Sequence, residues 1–170
     1  IFSSKSKKQI DPVTKFDLSV EKIIRNEIKK KFPDHNIIGE EFDLRNGGSK
    51  FTWIIDPIDG TKALIAGQPT WSNLISLYYN NEPVFGMANF PVLNKIYYGD
   101  RFGSYLIEKK KTRIQSSKLK FLKNAKLITN SIHTFVNNKI YKFFKSYPYF
   151  FKISGIDAYN FCLLSEGKID

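Results

Sequence analysis

Apolar residues recur at intervals of three and four at Phe16, Val20, Ile23, Ile24, Ile28 and Phe32. That spacing predicts an amphipathic helix, which Pro33 ends because its ring cannot continue the hydrogen-bond ladder. Upstream, residues 1–11 are polar and basic without a period and read as a loop, with Pro12-Val13-Thr14 as an extended lead-in. Beyond a turn at 32–36, Ile37-Ile38 forms a short strand running into Gly39-Glu40-Glu41. A polar Gly47-Gly48 loop then leads to an apolar strand at 51–55, and residues 63–68 form a short irregular or helical link.

From Trp71 the texture becomes alternating strands, at 71–79, 84–90, 95–98, 104–108 and 112–114, separated by turn clusters. This is the pattern of an antiparallel meander, with lysine-bearing turns and short outer strands protecting its edges. After a connector at 116–124 the rhythm changes again: strand 125–129, helix 135–145, strand 149–153 and helix 157–166. Alternation of strand and helix predicts parallel pairing through crossovers. The reading is a mixed α/β protein in two parts, 1–115 and 116–170, the second incomplete.

Composition changes this picture little. With 42% hydrophobic and 15% aromatic residues the chain is a folded protein, and it has no apolar run long enough to span a bilayer. The single cysteine, Cys162, cannot form an internal disulfide, so a cytoplasmic setting is expected. A net charge of +11 raises the possibility of nucleic-acid binding. The lysines are scattered, however, and arginines, which clamp phosphates and read bases, are few, so a solvated basic surface is the expectation. The aromatic run at 141–151 reads as core packing or a homodimer surface rather than a base-stacking platform. His35 and His133 read as surface histidines, and Cys162, between Phe161 and Leu163, as buried core.

Candidate chemistry concentrates at 51–61. The apolar run Trp53-Ile54-Ile55 ends in Asp56 and Asp59, separated by Pro57-Ile58 and followed by Gly60-Thr61. A strand that delivers two carboxylates to a proline-fixed turn can aim both at one point, with the carbonyl of Ile58 between them. Asp-Pro and Asp-Gly pairs are also ordinary turn residues. Glu40-Glu41 upstream tips the reading toward a hard-metal site, because Mg2+ takes oxygen ligands and leaves room for substrate phosphate. Two such ions can activate a water and stabilise the leaving oxygen of a phosphate ester. Gly60 lets a phosphate approach the backbone, and the Thr61 hydroxyl can orient the attacking water. Asp17, at the entry of the first helix, reads on its own as an N-terminal cap.

Gly39-Glu40-Glu41 and Trp53-Ile54-Ile55-Asp56-Pro57-Ile58-Asp59-Gly60-Thr61 together resemble the signature of the inositol monophosphatase family of magnesium-dependent, lithium-sensitive phosphatases. Residues 12–17 and 155–159 resemble further segments of the family, so the likeness covers nearly the whole chain. The resemblance implies a layered α/β/α/β/α fold, with Glu40, Asp56, the Ile58 carbonyl and Asp59 as Mg2+ ligands. It implies catalytic roles for Asp17, Glu40 and Thr61, and substrate contacts from Asp59, Gly60, Thr61 and Asp157. By the same comparison Asp17 becomes the partner of Thr61 in activating a water that attacks phosphorus directly.

Phe90-Pro91, residues 65–71, Asp157 and Tyr159 are most similar to the branch acting on histidinol phosphate in histidine synthesis; inositol or another small phosphate ester is the alternative. A carboxylate at Asp157 suits a cationic amino-alcohol, and equally suits a helix cap. The family pattern includes one more metal-binding aspartate, in a Trp-Asp motif downstream of Asp170, and further N-terminal helices. The expectation for this chain alone is weak or absent activity.

Overall fold

The structure, a computed structural model, describes residues 2–4, 12–129, 139, 142, 146, 151–154 and 157–170. The expected helix at 135–145, His133 and most of the aromatic run at 141–151 lie outside the described residues. A short strand β1 (Phe2–Ser4) pairs antiparallel with β2 (Pro12–Thr14), so part of the expected N-terminal loop is a strand. Helix α1 (Lys15–Lys31) follows directly.

The centre of the fold is a seven-stranded sheet in sequential order. It comprises β3 (Asn36–Gly39), β4 (Phe51–Asp59), β5 (Ser72–Tyr79), β6 (Glu82–Phe90), β7 (Lys95–Asp100), β8 (Gly103–Ile107) and β9 (Lys111–Ile114). Strands β3 and β4 are parallel, and every later neighbour is antiparallel, which gives the expected meander. The β5–β6 turn is tighter than the sequence predicts. Asn80 and Asn81 both have positive φ, 49° and 66°, so two residues close the hairpin and Tyr79 pairs with Glu82. Asparagine tolerates that left-handed geometry better than most residues, which is why such a short turn is available here. From the edge strand β9 the Lys111 ammonium reaches back over the sheet, 4.1 Å from the Tyr105 ring centroid and 5.2 Å from that of Tyr98.

Helix α1 covers one face of β3 and β4, packing Ile24 and Ile28 against Ile37, Trp53 and Ile55. Its orientation departs from the apolar period. Asp17, Glu21, Arg25 and Ile28 are buried, whereas Phe16 and Ile23 are 67% and 63% exposed. Only the C-terminal half of the helix lies over apolar strand residues. The N-terminal half faces the loop after β3 and the end of β4, where polar side chains find partners, and that contact sets the rotation of the whole helix.

The second part pairs β10 (Lys126–Thr129) with β11 (Phe151–Ser154) in parallel, as the alternation predicted. Helix α2 (Thr61–Ile65) follows β4, and the last helix, α3 (Asp157–Ser165), packs on the meander. There Ala158, Tyr159 and Cys162 join Ala88, Phe90, Tyr97 and Leu106 in one core. Cys162 is buried as expected, while its neighbour Phe161 is 71% exposed. The Tyr97 hydroxyl donates to Glu166 Oε1 at 2.5 Å, and Lys168 binds the other carboxylate oxygen at 2.7 Å. Burial, then the hydrogen bond to Glu166, pushes the Tyr97 phenol above its ordinary range. Tyr97→Phe removes a buried bond to a charged acceptor and is expected to cost about 1–3 kcal/mol in urea unfolding. Among the described residues no helix is long and apolar enough to cross a membrane.

Candidate metal and phosphate site

Strand β4 does not stop at Ile55, as its apolar run suggested, but continues to Asp59. Asp56 faces Leu74 and Asp59 faces Ser72, so three steps on β4 match two on β5. In a regular strand residues three apart point to opposite faces; one extra residue restores the phase and turns both carboxylates to the same side. Pro57, which has no N–H to offer the ladder, sits inside this bulge. The bulge is clamped from the sheet: Asn73 Nδ2 donates to the Pro57 carbonyl at 2.7 Å, and Asn89 Nδ2 donates to Asn73 Oδ1 at 2.8 Å. Asp56 Oδ1 accepts the Ile58 amide at 3.1 Å, closing a local turn.

The other acids arrive from neighbouring elements. Gly39 pairs with Ile55 in the parallel β3–β4 ladder, so Glu40 emerges beside Asp56 and hydrogen-bonds to it. Asp17, on the first turn of α1, is 2% exposed, and the Thr61 hydroxyl lies 3.4 Å from its Oδ1 and 3.1 Å from the Ile58 carbonyl. Asp59 Oδ2 accepts from Ser72 Oγ and from the Ala158 amide, each at 3.2 Å. Gly60 is left-handed, with φ 79° and ψ 41°, and turns the chain into α2, whose first residue is Thr61. Asp157 opens α3, one residue before the amide that meets Asp59; its side chain lies outside the described residues. The structure thus brings Asp17 to Thr61, Glu40 to Asp56, and Asp59 to the start of α3.

Burial first, then the adjacent Glu40 and Asp59, together raise the Asp56 carboxyl to about 8. Among the described residues no three acidic, histidine or cysteine side chains are grouped closely enough to hold a metal ion as they stand. Glu40 and Asp56 instead share a hydrogen bond, as two carboxylates do when a proton stands between them. An oxygen-only donor set that must otherwise retain a proton fits a hard cation such as Mg2+, which would replace that proton.

A pH dependence follows. A carboxyl with a raised folded pKa binds its proton more tightly folded than unfolded. Its contribution is complete below about pH 4 and lost as pH rises through about 8. Thermal melting in chelator is expected to fall across that window, and Asp56→Asn is expected to flatten the fall.

Sequence reasoning missed several residues here. His35 is not a free surface group: it stacks between Phe32 and Phe51, at 4.9 and 4.8 Å, and accepts the Trp53 indole N–H at 3.0 Å. Nothing local in the sequence singles out Ser72, Asn73 and Asn89, and only the register reveals that they hold Asp59 and the bulge.

Residues 2–170 match the sequence profile of the inositol monophosphatase family. The chain belongs to that family. Among its relatives, it is 43% identical over 96 residues to the histidinol-phosphatase of Chlorobaculum parvum, an alignment covering 56% of this chain and 37% of that protein. It is 31% identical over 173 residues to the fructose-1,6-bisphosphatase/inositol-1-monophosphatase of Aquifex aeolicus, covering 94% of this chain and 62% of the relative. The Thermotoga maritima IMPase superposes with a TM-score of 0.80 at 31% identity, covering 96% of this chain and 63% of that structure. The mixed α/β fold is therefore that of the inositol monophosphatase family. The chain spans between about a third and two thirds of the length of these relatives.

Proposed function

We propose that this chain carries the metal- and phosphate-binding part of a phosphomonoesterase that hydrolyses a small phosphate ester, histidinol phosphate being the leading substrate. The observation that carries this reading is the convergence of Glu40, Asp56 and Asp59 with the Asp17–Thr61 pair at the end of β4. Glu40, Asp56, the Ile58 carbonyl and Asp59 would hold Mg2+, which when bound supplies positive charge to the phosphate oxygens and to the leaving oxygen. Gly60 leaves room for the phosphate against the backbone at the start of α2. Thr61 Oγ1 orients the attacking water and takes its proton while passing its own to Asp17 Oδ1. The new P–O bond forms from the water oxygen as the ester P–O bond breaks, and the leaving oxygen takes a proton from solvent to depart as the alcohol.

The substrate assignment draws on the Chlorobaculum parvum histidinol-phosphatase, and on the residue type at Asp157, next in sequence to the Ala158 amide that meets Asp59, since a carboxylate suits a cationic alcohol. A second reading, inositol phosphate, draws on the Aquifex aeolicus relative, whose similarity covers more of this chain. The test is phosphate release by the whole protein with Mg2+, comparing the two esters. Turnover at least about tenfold faster on histidinol phosphate, falling selectively in Asp157→Ala, is the expected result. Equal turnover of both esters overturns the substrate assignment, and no release of phosphate from either overturns the function.

A further inference from the structure

Glu21 is the most deeply buried charged side chain among the described residues, at 0% exposure, and it has no part in the reaction just described. It lies one helical turn after Asp17, on the same face of α1. Its Oε1 accepts Arg25 Nε at 2.7 Å and the Phe42 amide at 3.3 Å, and its Oε2 accepts the Glu41 amide at 2.7 Å. Arg25 extends the grip, donating from Nη2 to the Phe42 carbonyl at 2.7 Å. On the other side of Glu40, Gly39 lies so close that a Cβ there would sit 1.8 Å from Glu21 Oε1 and 2.8 Å from Arg25 Nη2. The backbone is thus held immediately before and immediately after Glu40, whose own side chain is left exposed beside Asp56.

Withdrawing two charges from water is costly, and an apolar pair of the same volume would fill this space at least as stably. What an apolar pair cannot do is accept two successive backbone amides. We propose that Glu21, held by Arg25, is a positioning residue: it fixes the 39–42 backbone in the conformation that aims Glu40 at Asp56, and so sets the affinity of the metal site. This rests on the metal-site reading given above. It also ties the two halves of the site to one rigid element, since α1 carries Asp17 toward Thr61 and Glu21 under Glu40.

The test uses the whole protein and the double variant Glu21→Gln/Arg25→Met, which removes both charges together and leaves neither orphaned. Mg2+ affinity is read by titration calorimetry and amide hydrogen exchange at Glu41 and Phe42 by NMR. Mg2+ binding is expected to weaken about 10- to 100-fold, with exchange at both amides accelerating about tenfold or more. Amides of β4 are expected to keep their protection. Glu21→Asp, which keeps the charge but draws it back by one methylene, is expected to fall between parent and double variant. If the double variant does not fold, Arg25→Lys preserves the ion pair and loses the grip on Phe42, and the same two readouts decide. A folded variant that binds Mg2+ within about twofold of the parent overturns the positioning role alone. A parent that binds no Mg2+ overturns the metal-site reading and this proposal with it.

Discussion

Gly39→Ala is expected to destabilise the protein by about 3–5 kcal/mol, among the largest effects of any single methyl group added to this chain. The added Cβ would stand 1.8 Å from Glu21 Oε1 and 2.3 Å from its carboxyl carbon. Flexible side chains usually yield to such an intrusion, but this one is wholly buried and engaged with Arg25, Glu41 and Phe42. To move, it must release an arginine and two amides, which is the costly way to break a buried pair. Gly86→Ala is the control: nothing lies within 4 Å of its added Cβ, and a change within about 0.5 kcal/mol is expected. Urea unfolding of the two variants measures the difference directly.

Asp59→Asn is expected to reduce phosphate release roughly 100- to 1000-fold while leaving the fold in place. The asparagine oxygen can still accept from Ser72 and from the Ala158 amide, so the contact between β4 and α3 survives. What disappears is the negative charge, and with it the stronger ligand for a hard cation. Cooperative unfolding close to that of the parent, combined with lost turnover and weakened Mg2+ binding, is the expected pattern. Turnover equal to that of the parent would remove Asp59 from the mechanism.

The strands of the meander were legible because alternation reports which face is wet, and their order follows once each turn is short. The acids of the site were legible by spacing: Asp56 and Asp59 close together after an apolar strand, with Glu40-Glu41 upstream; the parallel pairing of β3 with β4 was not. The bulge was not, because Pro57-Ile58 looks the same in a turn as in a strand with one extra residue; only pairing with Leu74 and Ser72 distinguishes them. Nor was the role of Glu21 and Arg25. A glutamate four residues before an arginine is the ordinary pattern of a solvated helix face, and period alone placed Phe16 and Ile23 inside instead. The inversion arises from tertiary contacts with residues 39–42, which no local window contains. His35 escaped notice for the same reason, since Phe32 and Phe51 come to it from two different elements.

The bond from the Ala158 amide to Asp59 spans 99 residues of chain. Helix α1, its core with β3 and β4, and the Glu21 clamp are all built from residues that precede β5. All of these residues are made well before Ala158. The bond from the Ala158 amide to Asp59 can form only once residue 158 has been made. The contact that ties the acid-bearing strand β4 to α3 therefore joins the earliest and the latest parts of the described chain.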